Sequence, residues 1–468
     1  MNALTIVGII ISTGLIAGLA IYSGKGRSGA EKNDNSASVV AGVIMGTLVG
    51  GSSTVGTAQL AYNYGMSAWW FTLGAGIGCL LLGLFYIRPL RRQGCPTLVG
   101  MIRNEYGQTA GLSASLLNSL GTFINILSQL LAASAVILVV WPLLGAVAPV
   151  FISALFMILY VAFGGTKGAG MVGILKMLLL YFSMIACGIL VLRELGGTGN
   201  LIALASRLSE EDGLNYFSVF CRGFRKDIGS CLSLIFGVLT TQTYAQGVLT
   251  ARSDRAARIG ALSSAILIPP IGVFGIMVGL YMRTVTDAAT FDSKTALTQF
   301  VLMKLPALPA GIVLGALFIA SVGTGAGLAL GISTILRRDL LAKKFGSKME
   351  GRQTLVQNVL IIAVLIIASF LSTGPLGDVI LNFAFMSMGL RGATVFAPLF
   401  FILFTKRKIH GVYAVASIIV GPVVVLLFQL VPVLSNLLMG WSSLIFGMIA
   451  AFLVLLVGFL RSEKPAAA

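Results

Sequence analysis

Apolar residues run through this chain in long, nearly unbroken blocks separated by short polar connections, without the alternation of a half-buried strand or the one-sided stripe of a surface helix. A helix needs about 20 apolar residues to cross a bilayer. On that measure the expected spans are residues 3–22, 39–62, 67–87, 111–140, 146–163, 168–192, 228–249, 259–282, 309–336, 355–371, 376–404, 411–430 and 436–460, about thirteen in all. The first block has no basic residue before it, and Lys25, Arg27 and Lys32 follow it. A cleaved leader has the reverse order, so an uncleaved first span with its N-terminus outside is expected.

One block departs from the pattern. Residues 50–60 carry two adjacent glycines, the hydroxyls of Ser52, Ser53, Thr54 and Thr57, and Gln59 where a lipid-facing helix would place leucine and isoleucine. In hydrocarbon an interrupted backbone survives only where protein or a water-filled cavity satisfies its freed N–H and C=O groups, and transporters use such breaks to hold substrate and ions. Small residues also let helices pack closely, so a plain helix contact remains the alternative.

Composition agrees with a polytopic membrane protein: 57% of the 468 residues are hydrophobic and 10% charged, against about a quarter charged in soluble domains. The net charge of +17 would suggest nucleic acid in a soluble chain, but here the basic residues sit in short loops and read as an orientation signal. Of the 32 lysines and arginines, only Arg193, Arg207, Arg222, Arg225, Lys226, Arg283, Lys294 and Lys304 fall on the side away from residues 24–36. The side of residues 24–36 is therefore expected to be the cytoplasm, with the C-terminus inside, in a plasma membrane. Contact with anionic head groups accounts for the basic loop 337–352 without a nucleic-acid partner. The longest outer connection, residues 193–227, is amphipathic in part and reads as a helix lying on the outer face. Five cysteines without paired spacing and one histidine, His410 at a loop edge, point away from metal or redox chemistry; Cys221 and Cys231 are the candidates for a pair. No Asp or Glu falls mid-span, so the catalytic arrangement of a membrane enzyme is not expected.

Four stretches resemble the solute:sodium symporter family. They are residues 50–60 followed by Tyr64-Gly65-Met66-Ser67-Ala68-Trp69-Trp70; Thr241-Gln242 followed by Ala245 to Ser253 and Ala256-Ala257-Arg258; Ser333 to Leu340; and Phe396-Ala397-Pro398-Leu399 through Lys406-Arg407. The resemblance implies an all-α LeuT-type fold in which two inverted five-helix repeats frame a site at mid-membrane. It divides the chain into an extra span and loop (1–36), a first repeat (37–227), a second repeat (228–407) and two C-terminal helices with a tail (408–468). It also implies sodium-coupled symport of a small organic solute by alternating access. A transporter-like solute sensor would share the fold.

By the same resemblance, sodium would be held by the carbonyls of Ser52, Val55 and Ala320 and the hydroxyl of Thr324, while Gly323 stands where the family usually has serine. A small-residue helix contact would also use Ala320, Gly323 and Thr324. Lys176, a third of the way into its span, either snorkels to the surface or occupies or borders the sodium position, where it would couple transport to protons or abolish ion coupling. The substrate cavity is expected beside the breaks, with Thr57, Gln59, Asn125, Gln129, Gln242 and Leu390 as candidate contacts. Asn118 and the other polar residues of its span can also bond helix to helix. Arg391, at the middle of its span, lies too deep to reach water, and a permanent charge there is costly unless compensated. Its planar fork suits a carboxylate. An organic-acid or amino-acid substrate is therefore expected, the alternative being that Arg391 ties helices through carbonyls.

Overall fold

The computed structural model describes residues 2–25, 35–164, 169–337, 353–374, 379–405 and 407–462. Several residues used in the charge count, among them Arg27, Lys32, Lys167, Lys406 and those at 338–352, lie outside these. Among the described residues all regular elements are helices. Nine are long and apolar enough to cross a membrane, or ten if the bent pair Phe224–Thr240 and Gln242–Leu249 is one span, so the chain is a multi-pass membrane protein. That count is below the expected thirteen. Part of the shortfall is the shorter apolar helices Ala3–Ile16, Ala37–Leu48 and Ala148–Ala162.

Another part lies in Ser52–Arg92, which passes as one 41-residue stretch yet turns back on itself. The long helix Asp254–Val285 records the reversal. Its Gly260 packs on Val40 and its Gly279 on Ala58, so it runs parallel to the segment 37–64. Its Gly272 meets Thr72 while Leu262 meets Gly83, so it runs antiparallel to Trp70–Leu81. The turn falls at Gly65, whose φ is +53° and whose absent Cβ would sit 2.2 Å from the Tyr216 carbonyl oxygen, a place that only glycine fits.

Two apolar stretches are interrupted. Ala37–Leu48 ends where Val49 turns extended, and the chain resumes as a π turn, Ser52–Gly56, that leads into Thr57–Tyr64. Phe224–Thr240 ends where Thr241 is extended, and Gln242–Leu249 continues at 45° to it. The last helix, Ser443–Arg461, starts later than the expected 436 because Gly440 (φ +82°) and Met439 (φ +48°) are left-handed and Ser442 Oγ then caps Leu444 N–H. The connection 193–227 contains the helix Thr198–Asp212, with Ala205 and Leu208 buried. Cys221 and Cys231 are both free, so the candidate pair does not form.

Candidate functional site

The first break keeps its polar backbone satisfied with its own hydroxyls and one neighbouring helix. Gly50 N–H donates to Ser53 Oγ (2.9 Å), while the Gly50 carbonyl accepts from Ser53 Oγ and Thr54 Oγ1, each at 2.9 Å. Gly51 N–H donates to Gln129 Oε1 (3.2 Å). The Gln129 amide donates in turn to Ser52 Oγ (2.8 Å) and Asn125 Oδ1 (3.4 Å). Ser52 Oγ also shares a 2.7 Å bond with Ser128 Oγ, which donates to the Ile380 carbonyl (2.9 Å). The hydroxyl-rich sequence around the two glycines is thus what allows the backbone to open in a buried place. Ala132 and Ser321 crowd Gly51 so closely that no side chain fits there.

One turn on, buried Gln59 accepts from Ile380 N–H through Oε1 (2.9 Å), capping the first turn of Ile380–Phe404. Thr57 packs its Cβ and Cγ2 against Gly275, and its buried hydroxyl has no partner. Gln242 stands apart from this cluster: Oε1 accepts from Leu98 N–H (2.8 Å), at the start of the helix Leu98–Tyr106.

Lys176 does not snorkel. The helices Ala37–Leu48 and Ala169–Leu195 cross with backbones touching at Gly42, Gly46 and Gly173. This brings the Lys176 ammonium inward, where Nζ donates to the Gly46 carbonyl (2.8 Å) and to Thr324 Oγ1 (2.5 Å). The Thr324 hydroxyl donates in turn to the Ala320 carbonyl (2.9 Å) and lies beside Gly50. The expected sodium ligands fit a sodium ion poorly here. The hydroxyl oxygen already accepts from an ammonium, Gly323 brings no oxygen, and the Tyr160 ring stands 3.4 Å from where a Gly323 side chain would begin. Ser52 and Val55 are buried in the π turn.

Arg391 lies at the midpoint of the 25-residue helix Ile380–Phe404 and is 2% exposed. Nε donates to the Ser387 carbonyl (3.2 Å), one terminal nitrogen to Thr241 Oγ1 (3.0 Å) and the other to Ser387 Oγ (3.0 Å). Its stem crosses Gly121, where a Cβ would come within 2.8 Å of Arg391 Cγ, and Leu390 beside it is buried. Among the described residues no carboxylate bonds Arg391 or Lys176. The third buried charged residue, Asp227, is taken up by Arg222 at 2.6 Å and by Ser67. Arg391 packs on Gly121 of the helix Gln108–Val140, and Asn125 and Gln129 follow Gly121 along that helix at one-turn spacing.

Thr241, Ser387 and Ser128 join the site without having been singled out as contacts. The signal for Ser387 was positional, one helical turn before Arg391; Thr241 is the extended residue of the second break, which only the structure reveals. Nothing in the local pattern marks Ser128.

These features define a membrane transporter of the broken-helix kind. A model of the sodium:solute symporter family matches residues 35–421, and the chain belongs to that family. It is 23% identical over 406 residues to the high-affinity choline transporter 1 of Drosophila melanogaster, covering 80% of this chain and 62% of that protein. It is 25% identical over 272 residues to the uncharacterized symporter YwcA of Bacillus subtilis, covering 57% and 52% respectively. The chain thus spans between half and two thirds of these relatives. Among solved structures, a substrate-bound, outward-open Na+-coupled sialic acid symporter superposes with a TM-score of 0.77 at 16% identity, covering 99% of both chains. MhsT in complex with L-phenylalanine gives 0.56 at 16% identity, over 90% of this chain and 98% of that one. The fold is therefore the LeuT type, and the family consists of transporters rather than enzymes.

Proposed function

We propose that the chain is a secondary active transporter of a small organic carboxylate or amino acid, worked by alternating access. Arg391 is the observation that carries this reading. A guanidinium at mid-helix, buried and held by hydroxyls and a carbonyl, keeps a full positive charge with no acid bonded to it among the described residues. A bound anion compensates such a charge far better than neutral dipoles do, and a carboxylate matches the fork with two parallel bonds. Thr241, its partner, belongs to the break in the second interrupted stretch, where freed backbone groups are available to the same solute.

Two further expectations support alternating access. Residues 37–227 and 228–407 serve as the two repeats, and in each the first helix is the interrupted one. The loop charges support an N-terminus outside and a C-terminus in the cytoplasm. Gln59, Gln129 and Asn125 line the approach to the solute, and Gln242 serves the loop before Leu98 instead.

A thermal-shift screen of the purified protein across carboxylates, the matching amides and neutral sugars tests the substrate class. Carboxylates should stabilise the protein and their amides should not. Stabilisation by neutral sugars with no carboxylate active would refute the reading.

A further inference from the structure

We infer that the ammonium of Lys176 is a tethered cation that takes the place of sodium between the first break and the helix Ala307–Ile335, so that this place binds no sodium. The inference rests on the transporter reading above but not on the identity of the solute.

The geometry is that of a cation already in position. An ammonium and a sodium ion both seek oxygen atoms. Lys176 Nζ has found two, the Gly46 carbonyl on the helix leading into the break and Thr324 Oγ1 on the facing helix. Gly46 O lies one turn before Gly50, and Gly50 itself abuts Thr324 Oγ1, so the ammonium bridges the same two elements that a coupling ion would join. Because the bridge is covalently part of Ala169–Leu195, it adds a third helix to the junction. The glycine contact between Gly46 and Gly173 is what lets the side chain arrive from so close.

Among the described residues nothing near Lys176 offsets a second positive charge. Ala37–Leu48 and Ala307–Ile335 carry no ionisable residue. Asp254–Val285 carries them only near its ends, as Asp254, Arg255, Arg258, Tyr281 and Arg283. Thr198–Asp212 meets the helix of Lys176 at the far end, and the side chains of Tyr22 and Lys25 on Ala3–Lys25 lie outside the described residues. The phenols of Tyr160, beside Gly323, and of Tyr181 are neutral groups. Sodium at Thr324 Oγ1 would sit beside an ammonium in a medium of low dielectric, where like charges repel far more strongly than in water. Gly323 completes the picture: with the ammonium present no further oxygen is required there.

The test is the stoichiometry of 22Na+ bound by purified protein in N-methyl-D-glucamine buffer without any solute, so its result is independent of the carboxylate reading. The variant Lys176→Ala/Gly323→Ser, which removes the ammonium and returns an oxygen, should bind one more sodium per chain than the wild type. That extra sodium should vanish when Thr324→Val is added. Equal stoichiometry in the wild type and the variant would overturn the inference, as would loss of a bound sodium from the wild type on Thr324→Val alone. Lys176→Ala by itself replaces the double variant if the latter does not elute as a folded species, and is judged by the same two outcomes.

Discussion

Gly46 and Gly173 touch backbone to backbone: a Cβ on Gly46 would lie 2.5 Å from Gly173 Cα, and one on Gly173 would lie 2.4 Å from the Gly42 carbonyl oxygen. Backbone cannot yield as a flexible side chain can, so Gly46→Ala must push the two helices apart and draw Lys176 away from Thr324. We expect a loss of about 1–3 kcal/mol, the usual cost of overpacking, read as a lower unfolding temperature in detergent. Gly14→Ala, on a helix position with nothing within 4 Å, should leave that temperature unchanged or slightly raised.

Gln129, on a neighbouring helix, both accepts from the first break, at Gly51 N–H, and donates into it, at Ser52 Oγ. Gln129→Leu keeps the volume and removes both bonds. Each buried polar group left without a partner costs about 1–3 kcal/mol, so thermal unfolding should shift strongly downward. Gln129→Glu keeps the acceptor for Gly51 and should retain more of the stability; equal loss in the two variants would show that the Gly51 bond contributes nothing.

The Arg222–Asp227 pair, with side chains 3% and 0% exposed, ties the connection before Phe224 to the turn at Ser67. Removing one partner of a buried pair leaves the other charge uncompensated, a cost of about 3–5 kcal/mol. Asp227→Asn should therefore unfold at a much lower temperature. The double change Arg222→Met/Asp227→Leu should recover most of the loss, and failure to recover would mean that the pair is needed for more than charge balance.

The apolar blocks made the fold class legible because a bilayer imposes one simple demand, some 20 apolar residues per helix, on every span. Loop charge and order of motifs then carried the family. The first break was legible too, since Gly50, Gly51 and the hydroxyls after them have no use on a lipid-facing helix. Helix ends were read less well: the start at Ser443 depends on left-handed Met439 and Gly440, a backbone choice that hydropathy does not register. At the site, Lys176 and Arg391 stood out as charges at depth, but their partners did not. Thr324 was singled out through resemblance, whereas Ser387, Thr241 and Ser128 are ordinary residues until tertiary packing aims them. Gln242 illustrates the converse: an amide next to a break that bonds Leu98 because Gln242–Leu249 is tilted at 45° to the preceding helix.

Uptake into proteoliposomes tests the central claim, that Arg391 grips the carboxylate of the transported solute. Using a radiolabelled carboxylate selected by thermal shift, the wild type should accumulate label, and Arg391→Gln should take it up at least about tenfold more slowly at low solute, as expected for loss of a buried bidentate charge pair. Undiminished carboxylate uptake by an Arg391→Gln protein that elutes as a folded species would contradict the account.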